Sequence, residues 1–174
     1  TNFSDINLGE IDFDIPKTSN LEIKKRLNKT ILILSSDSGS SYLNSDGTSL
    51  DKISTEMAML LVQQNTTLTP IEAEEITSSK KGSEYRGRAL PLMKVISKNE
   101  KDKLINVYLN IYSGEVTAIR SMQWKIWDVM WGFHIMDWQE RDNIDNLFLK
   151  IFSILALVSS ITGILLFFKI DFKK

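Results

Sequence analysis

The residue type best suited to chemistry occurs once. His134 lies in WKIWDVMWGFHIMDW, residues 124–138, which also holds all four tryptophans, Trp124, Trp127, Trp131 and Trp138. A histidine on an aromatic face could ligate haem or a metal, but no second histidine, cysteine or methionine shares that face at ligand spacing. The expected cofactor content is therefore none, with haem on His134 as the open alternative. Ser35, Ser36, Ser38, Ser40 and Ser41 cluster in a hairpin loop with no neighbouring base, so a Ser–His nucleophile is not expected. Asp37, Asp46 and Asp51 lack the regular carboxylate spacing of a calcium loop. Glu72, Glu74 and Glu75 read as a solvated face, and Arg86 and Arg88 as a solvated edge. No catalytic set emerges.

Among the elements that carry these residues, the segment 147–168 dominates. IFSILALVSSITGILLFF, from Ile151 to Phe168, contains no charge. As a helix it is about 27 Å long, close to the roughly 30 Å of a bilayer core. We expect one transmembrane helix there. Asp142 and Asp145 precede it, and Lys169, Lys173 and Lys174 follow. Positive charge stays on the cytoplasmic side, which predicts a cytoplasmic tail at 169–174 and a periplasmic bulk. Ser159, Ser160 and Gly163 form a small-residue stripe where another membrane helix can approach.

At 100° per residue, Trp124, Trp127, Trp131, His134 and Trp138 share an arc of about 80°. Ile126, Val129, Met130 and Phe133 form a second apolar sector, and Lys125, Asp128 and Gln139 a polar strip. Indole rings favour the headgroup zone, so 121–146 reads as an amphipathic helix along the outer membrane boundary, then a turn. Asp128 and Asp137 argue against its crossing the bilayer. Asp142, Asn143, Asp145 and Asn146 supply turn and cap chemistry before the span.

Residues 1–120 carry turn signals and period-2 alternation. INVYLNIYSGEVTAI at 105–119 reads as a hairpin around Ser113-Gly114, and 31–53 has the same design with Asp46-Gly47 at its second turn. Tyr42-Leu43-Asn44 … Gly47 matches Tyr108-Leu109-Asn110 … Gly114, suggesting two related hairpin units. Ser54 caps an expected helix over 53–65, with Leu50, Ile53, Met57, Leu60 and Leu61 at helical spacing. Thr69-Pro70-Ile71-Glu72 has a helix-start pattern, yet Ile71–Ser78 suits a strand equally. Leu90-Pro91 leads into a strand.

Ile53-Ser54-Thr55-Glu56-Met57-Ala58, Leu90-Pro91-Leu92-Met93-Lys94-Val95 and Val107-Tyr108-Leu109-Asn110 … Ser113-Gly114-Glu115-Val116, in that order, resemble a PepSY domain. Trp131-Gly132-Phe133-His134, followed by a span with Thr162-Gly163, resembles the PepSY-associated transmembrane proteins of bacteria. The resemblance covers about 53–168. It implies an α+β domain, a small antiparallel sheet with a covering helix, outside the bacterial cytoplasmic (inner) membrane. The expected organisation is a β-rich first hairpin unit at 1–52, the PepSY-like domain at 53–120, the Trp-rich interfacial segment at 121–146, the span and the tail.

The near-neutral balance, a formal charge of -1 and pI near 5.9, excludes a nucleic-acid binder that relies on a basic face. With no cysteine, no disulfide or thiolate chemistry is available within the chain. The expected partners are the lipid bilayer and another membrane-protein subunit. The expected function is non-catalytic: a membrane-anchored protein whose periplasmic domain binds a protein partner, as an accessory subunit of a membrane complex. The alternatives are modulation of an envelope peptidase and an iron- or haem-linked redox component using His134. Larger relatives of the resembled family carry several spans and more histidines, whereas this chain has one of each. A signal peptide or further span preceding Thr1 stays open.

Overall fold

The computed structural model describes residues 20–37, 39–139, 141 and 143–171. They fold as two compact units: residues through Ser79 together with Tyr85–Ser121, and Lys80–Glu84 together with Met122 onward. The class is α+β, with two antiparallel sheets, helices and a C-terminal apolar helix.

In the first unit, β1 (Asn20–Arg26), β2 (Lys29–Ser36) and β3 (Gly39–Asn44) form a sheet in sequence order. Consecutive Ile31, Leu32 and Ile33 of the central β2 are all buried, so both faces of that strand are covered. The second sheet comprises β4 (Thr69–Ile76), β5 (Leu92–Lys98), β6 (Leu104–Asn110) and β7 (Val116–Arg120), also in sequence order. Between the sheets in sequence lies α1 (Thr55–Asn65). Ser54 caps it by accepting the Met57 N–H at 3.2 Å.

Ala58, Leu61 and Val62 of α1 share one core with Met93, Val95, Val107 and Leu109. Leu60, expected on that face, is instead half exposed, while Leu50 and Ile53 ahead of the helix are buried. The opposite face of the sheet buries Leu92 and Tyr108 with Tyr85 and Ala118. Alternation along β5 thus feeds two cores, one on each side.

The ambiguous segment after Thr69 is strand β4. Pairing of Ala73 with Val95 and of Ile76 with Leu92 gives each apolar residue a buried neighbour across the ladder. That pairing outweighs the local helix-start pattern, as tertiary contacts commonly outweigh propensity. Pro70 and an irregularity between Pro70 and Glu72 suit β4 to its place at the sheet edge.

The repeated Tyr-Leu-Asn motifs end β3 and β6. Each is followed by a turn containing a glycine at positive φ, Gly47 at 80° and Gly114 at 73°. The chain then doubles back, pairing Leu43 with Ser49 in one case and Leu109 with Val116 in the other. The two motifs meet directly: Asn110 Nδ2 donates to Tyr42 Oη at 2.8 Å, and Tyr42 stacks on Tyr112 at 5.1 Å between centroids.

The second unit contains α2 (Met122–His134) and α3 (Leu147–Asp171). Trp138 lies beyond the end of α2, so it does not belong to the helical arc expected for all four tryptophans. Met136 and Arg141 at positive φ, 55° and 61°, turn the chain away from the helix axis after His134.

Candidate membrane-contact site

On α2 the side chains of Met122, Ile126, Trp127, Val129, Met130, Trp131 and Phe133 are all exposed. Asp128 and Gly132 are buried, and Trp124 and Lys125 half-buried. At 100° per residue the exposed apolar set sweeps about 200° of the helix. Of the polar strip on the other side, Asp128 faces protein while Lys125 keeps part of its side chain exposed. This is the reverse of a surface helix in water, whose apolar stripe is turned inward.

Each charge on the inner face has a partner within the unit. Asp128, only 1% exposed, accepts from Arg141 Nη1 at 2.6 Å, and Lys125 pairs with Glu84 at 2.7 Å. Gly132 permits the close return of the chain, because a Cβ there would stand 2.9 Å from the Asp137 carbonyl oxygen. The Asp137 carboxylate accepts from the Gln139 and Asn143 amides at 3.2 and 3.1 Å. Asn146 joins the turn to α3: its amide donates to the Ile135 carbonyl at 2.7 Å, and its oxygen caps the Leu149 N–H at 2.9 Å. The expected cap chemistry of Asn143, Asp145 and Asn146 is thus in use, with Asp145 N–H donating to Asn143 Oδ1. Asp142 lies outside the described residues.

Aromatic rings run across the turn. Trp127 stacks on Trp131 at 6.0 Å, and Trp131 meets His134 at 5.9 Å. Phe133 meets Trp138 at 6.2 Å, and Trp138 meets Phe148 of α3 at 5.9 Å. The apolar surface of α2 is therefore continuous with that of α3.

From Leu147 to Lys169, α3 is long and apolar enough to cross a membrane, with a mean hydropathy of 2.5 and no buried residue in its most apolar stretch. Ser153, Ser160 and Thr162 donate to carbonyls four residues earlier at 2.7–2.8 Å, which satisfies their hydroxyls within the helix. Ser159, Ser160 and Gly163 are exposed, and nothing lies within 4 Å of a Cβ built on Gly163. Lys169 is exposed at the far end; Lys173 and Lys174 lie outside the described residues.

His134 is exposed at the end of α2. Among the described residues no group of three or more His, Cys, Asp or Glu side chains is arranged to hold a metal ion. The serine cluster sits on the β2–β3 hairpin, where Ser35 and Ser40 hydroxyls lie 3.3 Å apart; Ser38 is outside the described residues. Glu74 and Glu75 pair with Lys94 and Lys52, while Glu72 is exposed.

The first unit has a groove of about 510 Å³ beside α1 and the start of β4, lined by Glu56, Met59, Leu60, Gln63, Thr69 and Pro70. Leu60 is half exposed there, as is Ile71 next to Pro70. The Glu56 carboxyl is held below the ordinary carboxylate range by its own backbone N–H and by the Ser54 and Thr55 hydroxyls.

The Asp128–Arg141 pair escaped sequence reasoning. The available signal was a lone aspartate inside a helix otherwise rich in Trp, Met and Ile, a setting in which a carboxylate needs a cationic partner. Neither family models, curated proteins nor solved structures provide a match to this chain.

Proposed function

We propose that this chain is a non-catalytic, single-span membrane protein of PepSY-like type whose α+β unit binds a protein partner outside a bacterial cytoplasmic membrane. In this reading α3 is the anchor, α1 is the covering helix of the PepSY-like sheet, and the chain is an accessory subunit of a larger membrane assembly. The observation that carries it is α3: a 25-residue helix with a continuous apolar surface, attached to an α+β unit with cores of its own. Burial in a bilayer removes that surface from water at no cost in backbone hydrogen bonds, which a helix satisfies internally. Lys169 after the span and Asp145 before it favour a cytoplasmic C-terminus. Trp124, Trp127, Trp131 and Trp138 then lie on the outer-leaflet side of the span, and Ser159, Ser160 and Gly163 face a neighbouring helix. The groove at Glu56, Met59, Leu60 and Pro70 offers an apolar floor with a carboxylate at its rim, suited to an apolar, basic segment of the partner.

The test is purification of the full chain from native membranes in a mild detergent. A larger assembly is expected, and Leu60→Glu, at an exposed position, should release the partner while leaving the anchor in place. A strictly monomeric chain, or an assembly indifferent to Leu60→Glu, removes the groove-directed partner role.

A further inference from the structure

Beyond the anchor, we infer that α2 is itself seated in the hydrocarbon of one membrane leaflet, its charges paired within its own unit; this rests on reading α3 as a span. An interfacial helix shows one half to lipid and keeps a polar half in water. Here the two halves are occupied otherwise. On the polar half Asp128 and Lys125 are paired with Arg141 and Glu84, and the chain returns over Gly132. The remaining arc of about 200° is apolar apart from Gln123 and His134.

Three observations select lipid as the occupant over a protein. The arc is about twice the roughly 100° stripe that one packed helix covers, so no single partner helix would cover it. Phe133, Trp138 and Phe148 carry the apolar surface unbroken onto α3, the element built to enter lipid. Both inner-face charges are neutralised within the unit at 2.6–2.7 Å, as a low-dielectric setting demands. At 13 residues α2 is about 20 Å long, too short for a core of roughly 30 Å. Its diameter of about 10–12 Å does fit one leaflet, which is about 15 Å deep. Gln123 and His134 fall near the middle of the arc but at the first and last turns of α2, where their polar tips reach toward headgroups from the helix ends.

The tryptophans make the test direct, because all four lie at 124–138 and nothing else in the chain gives their emission. The full chain is reconstituted in vesicles of phosphatidylcholine and phosphatidylglycerol, with and without bromine on the acyl chains. We expect brominated chains to reduce tryptophan emission by about half or more, and aqueous acrylamide to reduce it little. Met130→Lys, at an exposed position in the arc, should reverse the two, as a charge draws that face toward water. Quenching by acrylamide but not by bromine places α2 in water and overturns the inference. Quenching by neither means that protein covers the arc, and overturns it too. Carbonate washing of the same vesicles separates the two readings: a chain that stays with the membrane but lacks bromine quenching leaves the α3 anchor standing, whereas a chain that washes off removes both.

Discussion

Arg26 illustrates how one side chain ties the first unit together. Its guanidinium is buried and donates to the carbonyls of Asp51 at 3.0 Å and Tyr112 at 2.7 Å, joining β1 to the approach to α1 and to the β6–β7 turn. Arg26→Ala removes two charge-assisted bonds and leaves two carbonyls short of donors. We expect a loss of about 2–4 kcal/mol in chemical denaturation of the full chain. Gly114 sits in the same turn at positive φ, with Leu61 Cδ1 2.6 Å from where a Cβ would stand. Gly114→Ala should cost about 1–3 kcal/mol, through left-handed backbone strain and displacement of a core leucine. Asp46 adds a pH dependence. Its carboxylate accepts from the Thr48 hydroxyl at 2.6 Å and the Thr48 N–H at 2.9 Å, which holds its pKa below the ordinary range. A depressed folded-state pKa stabilises above the unfolded value near about 3.9, and that contribution is lost as pH falls through the folded value. Denaturation midpoints followed from pH 6 to pH 2 should therefore fall less steeply in Asp46→Asn than in the parent.

At the scale of elements, α2 depends on a pair that neither sequence neighbour supplies. Arg141→Ala removes the cation paired with the buried Asp128 carboxylate and should destabilise the turn between α2 and α3 by about 2–4 kcal/mol, somewhat reduced because Arg141 retains partial exposure. The double variant Asp128→Leu/Arg141→Leu should recover much of that loss, because the cost lies in a buried charge deprived of its cation more than in the absent attraction. Tryptophan emission during denaturant titration of detergent-solubilised protein reads both variants. Equal stability of the single and double variants would show that Asp128 has another partner strong enough to hold it. For α1, Ser54→Ala removes the acceptor for the Met57 N–H and should cost about 1 kcal/mol in denaturation followed by far-ultraviolet circular dichroism.

For the molecule as a whole, α3 and the first unit have opposite requirements. The α+β unit buries its apolar residues in two cores and keeps its ion pairs Lys24–Glu115, Lys52–Glu75 and Lys94–Glu74 at the surface. The helix from Leu147 onward does the reverse, which water does not tolerate over such an area. On the proposed external placement of the α+β unit, protease treatment of intact spheroplasts should degrade that unit and spare a fragment containing α3. Survival of the whole chain under that treatment contradicts an external α+β unit, and degradation of α3 contradicts its insertion.

The elements with a local cause were readable from sequence. The apolar run at 147–168 needs nothing beyond its own composition to be a span candidate; the Ser54 cap and the Gly114 turn follow from neighbours a few residues away. The tightening of β4 onto β5 was not readable, because Thr69–Ile76 satisfies two local patterns and only a partner strand some twenty residues on decides between them. Asp128 shows the same limit more sharply. Helical periodicity placed it correctly on a strip with Lys125, yet periodicity cannot say which side of a helix is inside. Tertiary structure decided that, because Arg141 reaches the strip when the chain folds back over Gly132 and Glu84 reaches it from the separate Lys80–Glu84 segment, and a charge with a partner at 2.6–2.7 Å depends less on water.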